Sequence, residues 1–148
     1  MQKKYLLAIE AVLYVACRSG TDPVSLKDIC KSEGVAERYL EQVMQKLVHK
    51  GILKGIRGPK GGYLLARERR KIYLREIYEI ASEAECAKDN AKWQSMSNLG
   101  KKVIKPIEDT INEGVSEILG NITIGDLFDK VKEVGLEKEF IKNSDFNI

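Results

Sequence analysis

Side chains able to read the edge of a base pair recur at helical spacing near residue 40. Leu40, Val43, Met44, Leu47 and Val48 follow the i, i+3, i+4, i+7, i+8 pattern of a helix with one apolar face. At 100° per residue the opposite face is centred on Arg38, Gln42, Gln45 and His49, with Glu41 and Lys46 on its flanks. A guanidinium pairs bidentately with guanine, a glutamine amide pairs with adenine, and a glutamate carboxylate accepts from the amino group of cytosine. An ordinary solvated helix face uses the same residue types, so the face takes its meaning from its neighbours. Just after it, Gly58-Pro59-Lys60-Gly61 reads as a turn between two short strands, 52–57 and 62–66. Arg57 and Lys60 flank the tip of this hairpin, and Gly58, Gly61 and Gly62 would let its backbone approach a surface without a Cβ clash. An arginine there suits the negative potential of a narrow minor groove. The alternative is a hairpin that merely turns.

Other chemistries are poorly supplied. His49 is the only histidine, which excludes a His-rich metal site and any Ser-His-Asp triad built on another base. The three cysteines, at 17, 30 and 86, form no CxxC pair, so neither a disulfide framework nor a zinc ribbon fits, and a cytoplasmic chain without enzymatic activity is expected. Cys17 and Cys30 fall on apolar faces and read as packing residues. Cys86 keeps two readings, a redox-reactive or ligand thiol and an inert residue. Glu83 and Glu85 would raise its pKa and Lys88 would oppose them.

The elements that must carry these residues fit one domain of 148 residues with a net charge of +3. That total hides an asymmetry. Residues 1–75 hold 16 Lys/Arg against 7 Asp/Glu, whereas residues 76–148 hold 9 against 15. The first half is therefore suited to a polyanion. Basic residues concentrate in 51–75, where Arg67, Arg69, Arg70 and Lys71 read as phosphate contacts or a solvated surface. Residues 5–17 are apolar nearly all round, which fits a buried helix, and Glu10 at their centre argues against both a lipoprotein signal and a membrane span. Ser25 and Asp28 open a second helix that Glu33-Gly34 ends, as Ser19-Gly20 ends the first, and Gly51 stops the third. Two helices joined by a short turn and followed by a hairpin form a winged helix-turn-helix.

Leu74, Ile77 and Ile80 mark another helix over 73–83, and 85–98 reads as a polar loop. Met96, Leu99, Val103, Ile107, Ile111, Val115, Ile118 and Leu119 then form a narrow stripe on a helix of roughly 36 Å, too long for this domain to cover. Part of it is expected to meet a second copy, with a kink or break at Pro106. Thr123 and Asp126 cap a last helix through about Val134. The fold expected is mainly α with a small β-hairpin wing: a winged helix-turn-helix domain at 1–83, a sensor-type loop at 84–98, a dimerisation helix and cap helix at 99–134, and a tail at 135–148.

Four strings carry a family resemblance: Pro23-Val24-Ser25-Leu26, Tyr39-Leu40-Glu41-Gln42, Arg57-Gly58-Pro59-Lys60-Gly61-Gly62-Tyr63-Leu64-Leu65 and Asn121-Ile122-Thr123-Ile124-Gly125-Asp126-Leu127. Across residues 3–130 the chain resembles the IscR/NsrR/CymR-type, or Rrf2, family of bacterial winged helix-turn-helix transcriptional regulators. The resemblance implies homodimers, joined through the long helix at 99–120, that bind near-palindromic operators in double-stranded DNA. It places the base-reading positions on Arg38, Glu41 and Gln42 within a recognition helix that includes Tyr39, and the minor-groove arginine on Arg57. Many members hold an iron–sulfur cluster on three cysteines before the long helix. Here only Cys86 remains, and a five-residue spacing puts the other two places on Lys92 and Asn98. No cofactor is therefore expected, and a cluster would need atypical ligands including Cys86. The signal implied is redox, sulfur-related or metabolic. A winged module that docks a protein effector is the second reading.

Overall fold

The computed structural model describes residues 4–18, 20, 22–33 and 37–140. Helix α1 (Lys4–Cys17) is the hub, packing against four other helices and the hairpin. Ala8, Ile9, Ala11, Val12, Tyr14, Val15 and Ala16 are all buried, which explains why its sequence lacks a polar face. Helix α2 (Leu26–Glu33) begins where the Ser25 hydroxyl accepts from the Asp28 amide at 3.2 Å. Helix α3 (Glu37–His49) buries Leu40, Val43, Met44 and Leu47. It ends at Gly51, whose φ of +77° lets Ile52 donate to the Leu47 carbonyl and Gly51 to that of Val48. The stop signals expected at Ser19 and Gly34 lie outside the described residues, as do 141–148 of the tail.

Strands β1 (Leu53–Ile56) and β2 (Gly62–Leu65) pair antiparallel, with Leu53 opposite Leu65 and Ile56 opposite Gly62. The other edge of β2 is paired too. Val24 donates to the Tyr63 carbonyl at 2.9 Å and accepts from the Tyr63 amide at 2.8 Å, which fastens the wing to the segment entering α2.

Helix α4 (Leu74–Gln94) corrects the loop expected at 85–98, because it runs unbroken through most of that stretch. Ala84, Ala87 and Ala91, with Glu, Lys and Gln among them, sustain the helix by propensity, and neither Gly nor Pro interrupts it. Only the turn around Ser95–Ser97 separates it from the next helical run.

That run continues from Asn98 to Leu119 as a π-helical stretch (Gly100–Ile104) leading into α5 (Lys105–Leu119). The break expected at Pro106 takes this form. Proline has no amide to donate and its ring crowds the carbonyl four residues back, so the turn widens just ahead of it and Lys105 donates to Gly100. Helix α6 (Ile124–Glu133) starts with a reciprocal capping box: Thr123 N–H to Asp126 Oδ2 at 2.8 Å and Asp126 N–H to Thr123 Oγ1 at 3.1 Å. Leu74 N–H to Ile122 O and Ile124 N–H to Ile72 O stitch the α5–α6 turn to the start of α4. Beyond α6, Phe140 rests edge-on against Tyr14, with ring centroids 5.5 Å apart. Among the described residues no helix is long and apolar enough to cross a membrane.

Candidate nucleic-acid interface

The apolar stripe of α3 is consumed by the core, so rotation alone delivers Arg38, Glu41, Gln42, Gln45 and His49 to the surface, where all five are exposed. Lys46 is half-buried on the flank. Tyr39 turns elsewhere: it is half-buried against α1, its hydroxyl donates to the Lys4 carbonyl at 3.4 Å, and the Lys4 ammonium stands 5.4 Å from its ring centroid. It holds the start of α3 to α1 and does not share the exposed face.

The wing lies beside that face. Between them opens a groove of about 650 Å3 lined by Ser25, Gln45, Val48, Arg57, Gly62 and Tyr63 among others. The Val24–Tyr63 bridge fixes its width, because it ties β2 to the entry of α2. Burial, and then the nearby carboxylate of Glu41, hold the Tyr63 phenol protonated above its ordinary pKa. From sequence Ser25 is a helix cap and Tyr63 a member of the wing string, and neither is marked as lining this groove. The place of Tyr63 beside α2 depends on a bridge between residues about 40 positions apart.

At the tip, Arg57, Gly58, Pro59 and Lys60 are exposed. The glycines answer first to the hairpin itself. Gly58 has φ +115°, a Cβ on Gly61 would stand 2.2 Å from the Ile56 carbonyl oxygen, and one on Gly62 would stand 2.3 Å from that of Val24. A second opening, of about 360 Å3, follows the other flank of α3, where Gln42, Gln45, Lys46, His49 and Lys50 meet Glu83 of α4.

Part of the basic cluster after the wing is engaged within the molecule, whereas Arg70, Lys71 and Arg75 remain exposed. Arg67 holds both oxygens of Glu76 at 3.0 and 3.2 Å and donates to the Gly51 and Lys71 carbonyls. The Arg69 guanidinium stacks 4.0 Å from the Phe128 ring centroid. Arg70 packs over Gly125, and Arg75 donates to the Ser116 carbonyl at 2.8 Å. The exposed cations left near the recognition face are Arg38, Lys50, Lys54, Arg57 and Lys60.

Cys17 and Cys30 are free, half-buried thiols of the winged domain, and burial raises both pKa values, that of Cys17 to about 11. Cys86 lies on α4, and its side chain is outside the described residues.

The family model described as Rrf2, an iron-dependent transcriptional regulator, matches residues 1–130. The HTH-type transcriptional regulator IscR of Klebsiella pneumoniae is 32% identical over 120 residues, covering 81% of this chain and 74% of that protein. Among solved structures, T. potens IscR superposes with a TM-score of 0.68 at 29% identity, over 91% of this chain and 90% of its own. CymR, the global cysteine regulator of B. subtilis, superposes with a TM-score of 0.63 at 25% identity, over 88% and 96% respectively. These relatives are regulators of transcription, not enzymes.

Proposed function

Because the chain belongs to the Rrf2 family of transcriptional regulators, we propose that it is a cytoplasmic homodimer that binds an operator in double-stranded DNA through α3 and the wing. The observation that carries this reading is the groove between α3 and the wing, to which Gln45 and Val48 of the helix and Arg57 of the hairpin contribute, with Arg38, Glu41 and Gln42 exposed on the same helix and Lys60 exposed at the hairpin tip. The helix would read base edges in a major groove, with Arg38, Glu41 and Gln42 as the specific contacts, while Arg57 enters the adjacent minor groove. Lys46, His49, Lys50, Lys54 and Lys60 would supply phosphate contacts that carry affinity without sequence information.

Dimerisation is supported by the stripe on the long helix. Leu99, Val103, Ile107, Ile111 and Ile118 stay exposed, whereas Leu119 at its end is buried against the core. Five aliphatic side chains on one face of a charged, 148-residue chain are costly to leave in water, and a second copy crossing the same face would cover them isologously.

The description of the family names iron. The donors here do not fit a cluster: Cys17 and Cys30 pack in the winged domain on α1 and α2, so the segment before the long helix offers one cysteine where a four-iron cluster needs about four strong ligands. No step of the proposed function passes through a metal.

The test is binding of the full chain to duplexes that it selects from a random library, titrated against salt. Log affinity should fall with a slope of several units, Lys60→Ala should reduce that slope by about 0.9, and Gln42→Ala should relax preference at one base pair by about 1–3 kcal/mol. A salt-independent affinity would overturn the reading.

A further inference from the structure

We infer that the junction between α4 and the long helix is closed by the chain's own side chains, Trp93 and Glu108 over Gly100, so that the set of the long helix does not depend on iron. Trp93 lies in the last turn of α4, and its indole N–H donates to Glu108 Oε2 at 2.5 Å, across the turn and the π-helical stretch. An indole N–H has no other use for its proton, and a half-buried carboxylate is the stronger kind of acceptor for it. Gly100 is buried beneath this contact. A Cβ there would come 3.3 Å from Met96 Cβ, a tight approach, and 3.5 Å from Trp93 Cζ3, an ordinary contact, so Gly100 lies directly against both side chains. Ser97 completes the joint by accepting from the Gly100 amide at 3.3 Å.

Two features make this a positioning device and not local decoration. The far end of the same helix pair is also fixed by the chain itself, through Arg75 to the Ser116 carbonyl and the main-chain stitch at Ile72–Leu74. With both ends of the long helix anchored, its exposed stripe leaves the winged domain at one set angle. Second, the segment where the family resemblance expects cluster ligands is helix α4 and its Trp93 latch. The disagreement with an iron-dependent description thus has a structural counterpart: a hydrogen bond between the chain's own side chains, Trp93 to Glu108, joins α4 to the long helix.

The consequence for operator binding rests on the regulator reading above, and the experiment separates the two. Trp93 is the only tryptophan, so its emission reports on this joint in the full-length protein. Dialysis of anaerobically purified protein against EDTA with a ferrous chelator should leave its emission, far-UV helicity and melting temperature unchanged. Glu108→Ala should move the emission to longer wavelength and increase quenching by acrylamide, and Glu108→Gln, which retains an acceptor, should restore most of the native signal. On selected duplexes, Glu108→Ala should weaken binding to two half-sites about tenfold while leaving a single half-site nearly unaffected, because it alters the angle between winged domains and not their faces. A loss on both would signal damage to the winged domain and overturn the positioning role. Stoichiometric iron and sulfide, a chelator-induced change in helicity, or an emission indifferent to Glu108→Ala would each overturn the inference. Failure to select any duplex would overturn the regulator reading alone, with the emission and chelation results still deciding this one.

Discussion

Arg67→Ala is expected to cost stability and leave the salt dependence of DNA binding intact. The Arg67 guanidinium bonds both oxygens of Glu76 and the carbonyls of Gly51 and Lys71, so one side chain joins the end of α3, the turn at Arg69–Lys71 and the first turn of α4. The Arg67 and Glu76 side chains are 33% and 36% exposed, so water would replace part of what is lost. An exposed ion pair is worth about 0–1 kcal/mol and a hydrogen bond from a charged donor at most about 1.5–3 kcal/mol. Taking the pair near the top of its range and discounting the two carbonyl contacts for exposure gives about 2–3 kcal/mol for the whole set. For a chain of 148 residues that corresponds to a fall of roughly 4–12 °C in Tm. Arg67→Lys should recover only part, because a single ammonium cannot span the same four acceptors. The assay is thermal melting by circular dichroism, paired with the salt slope on the selected duplex. A phosphate contact would show the reverse pattern, an unchanged Tm and a slope reduced by about 0.9, and that result would refute the internal role.

Gly62→Ala should weaken operator binding by more than Lys60→Ala, since its Cβ would meet the Val24 carbonyl at 2.3 Å and force the bridge that seats the wing to open, at a cost of about 1–3 kcal/mol. Melting temperature and affinity should fall together. Ile111→Glu, at a position 60% exposed in the single chain, should convert a dimer to monomers in sedimentation without lowering the helicity of the winged domain; an unchanged sedimentation coefficient would show that the stripe is not the dimer contact. For Cys17, burial raises the thiol pKa from 9.0 to about 11, with Arg69 opposing and Glu137 adding. The folded state therefore holds the proton more tightly than the unfolded chain: this group's contribution to stability is present below about pH 9 and is lost as pH rises towards 11. Alkylation of Cys17 at pH 8 should be about a hundredfold slower than in denaturant, read by mass spectrometry of the peptide.

The parts of the fold visible from sequence were those decided by neighbours three or four residues apart. The core stripe of α3, the Gly51 stop, the Ser25 and Thr123 caps and the hairpin turn all depend on local geometry, and each stands in the structure where its spacing placed it. The exposed face of Arg38, Gln42, Gln45 and His49 followed for the same reason, since it is what remains when the apolar stripe is turned inward. The second half of α4 differs from the loop that its sequence suggests because Ala84, Ala87 and Ala91 favour helix by propensity without producing an apolar stripe that periodicity could detect. Tyr39 illustrates the converse. Its motif marks it as part of the recognition helix, yet its contact with Lys4 depends on where α1 lies.

Charge marks the boundary between the two kinds of knowledge. The excess of basic residues in the first half was a property of the sequence, as were the shortage of histidine and cysteine ligands and the helical face suited to base edges. Which cations remain available was a tertiary outcome. Arg67 and Arg69 are engaged by Glu76 and Phe128, and the exposed Arg75 by the Ser116 carbonyl, while Arg57 and Lys60 are carried outward on a hairpin that Val24 holds in place. Local sequence sets what a side chain can donate or accept within a few residues. Only the packed chain decides, through contacts between distant residues such as Arg69 with Phe128, 59 positions apart, whether that capacity is spent within the protein or presented to a partner.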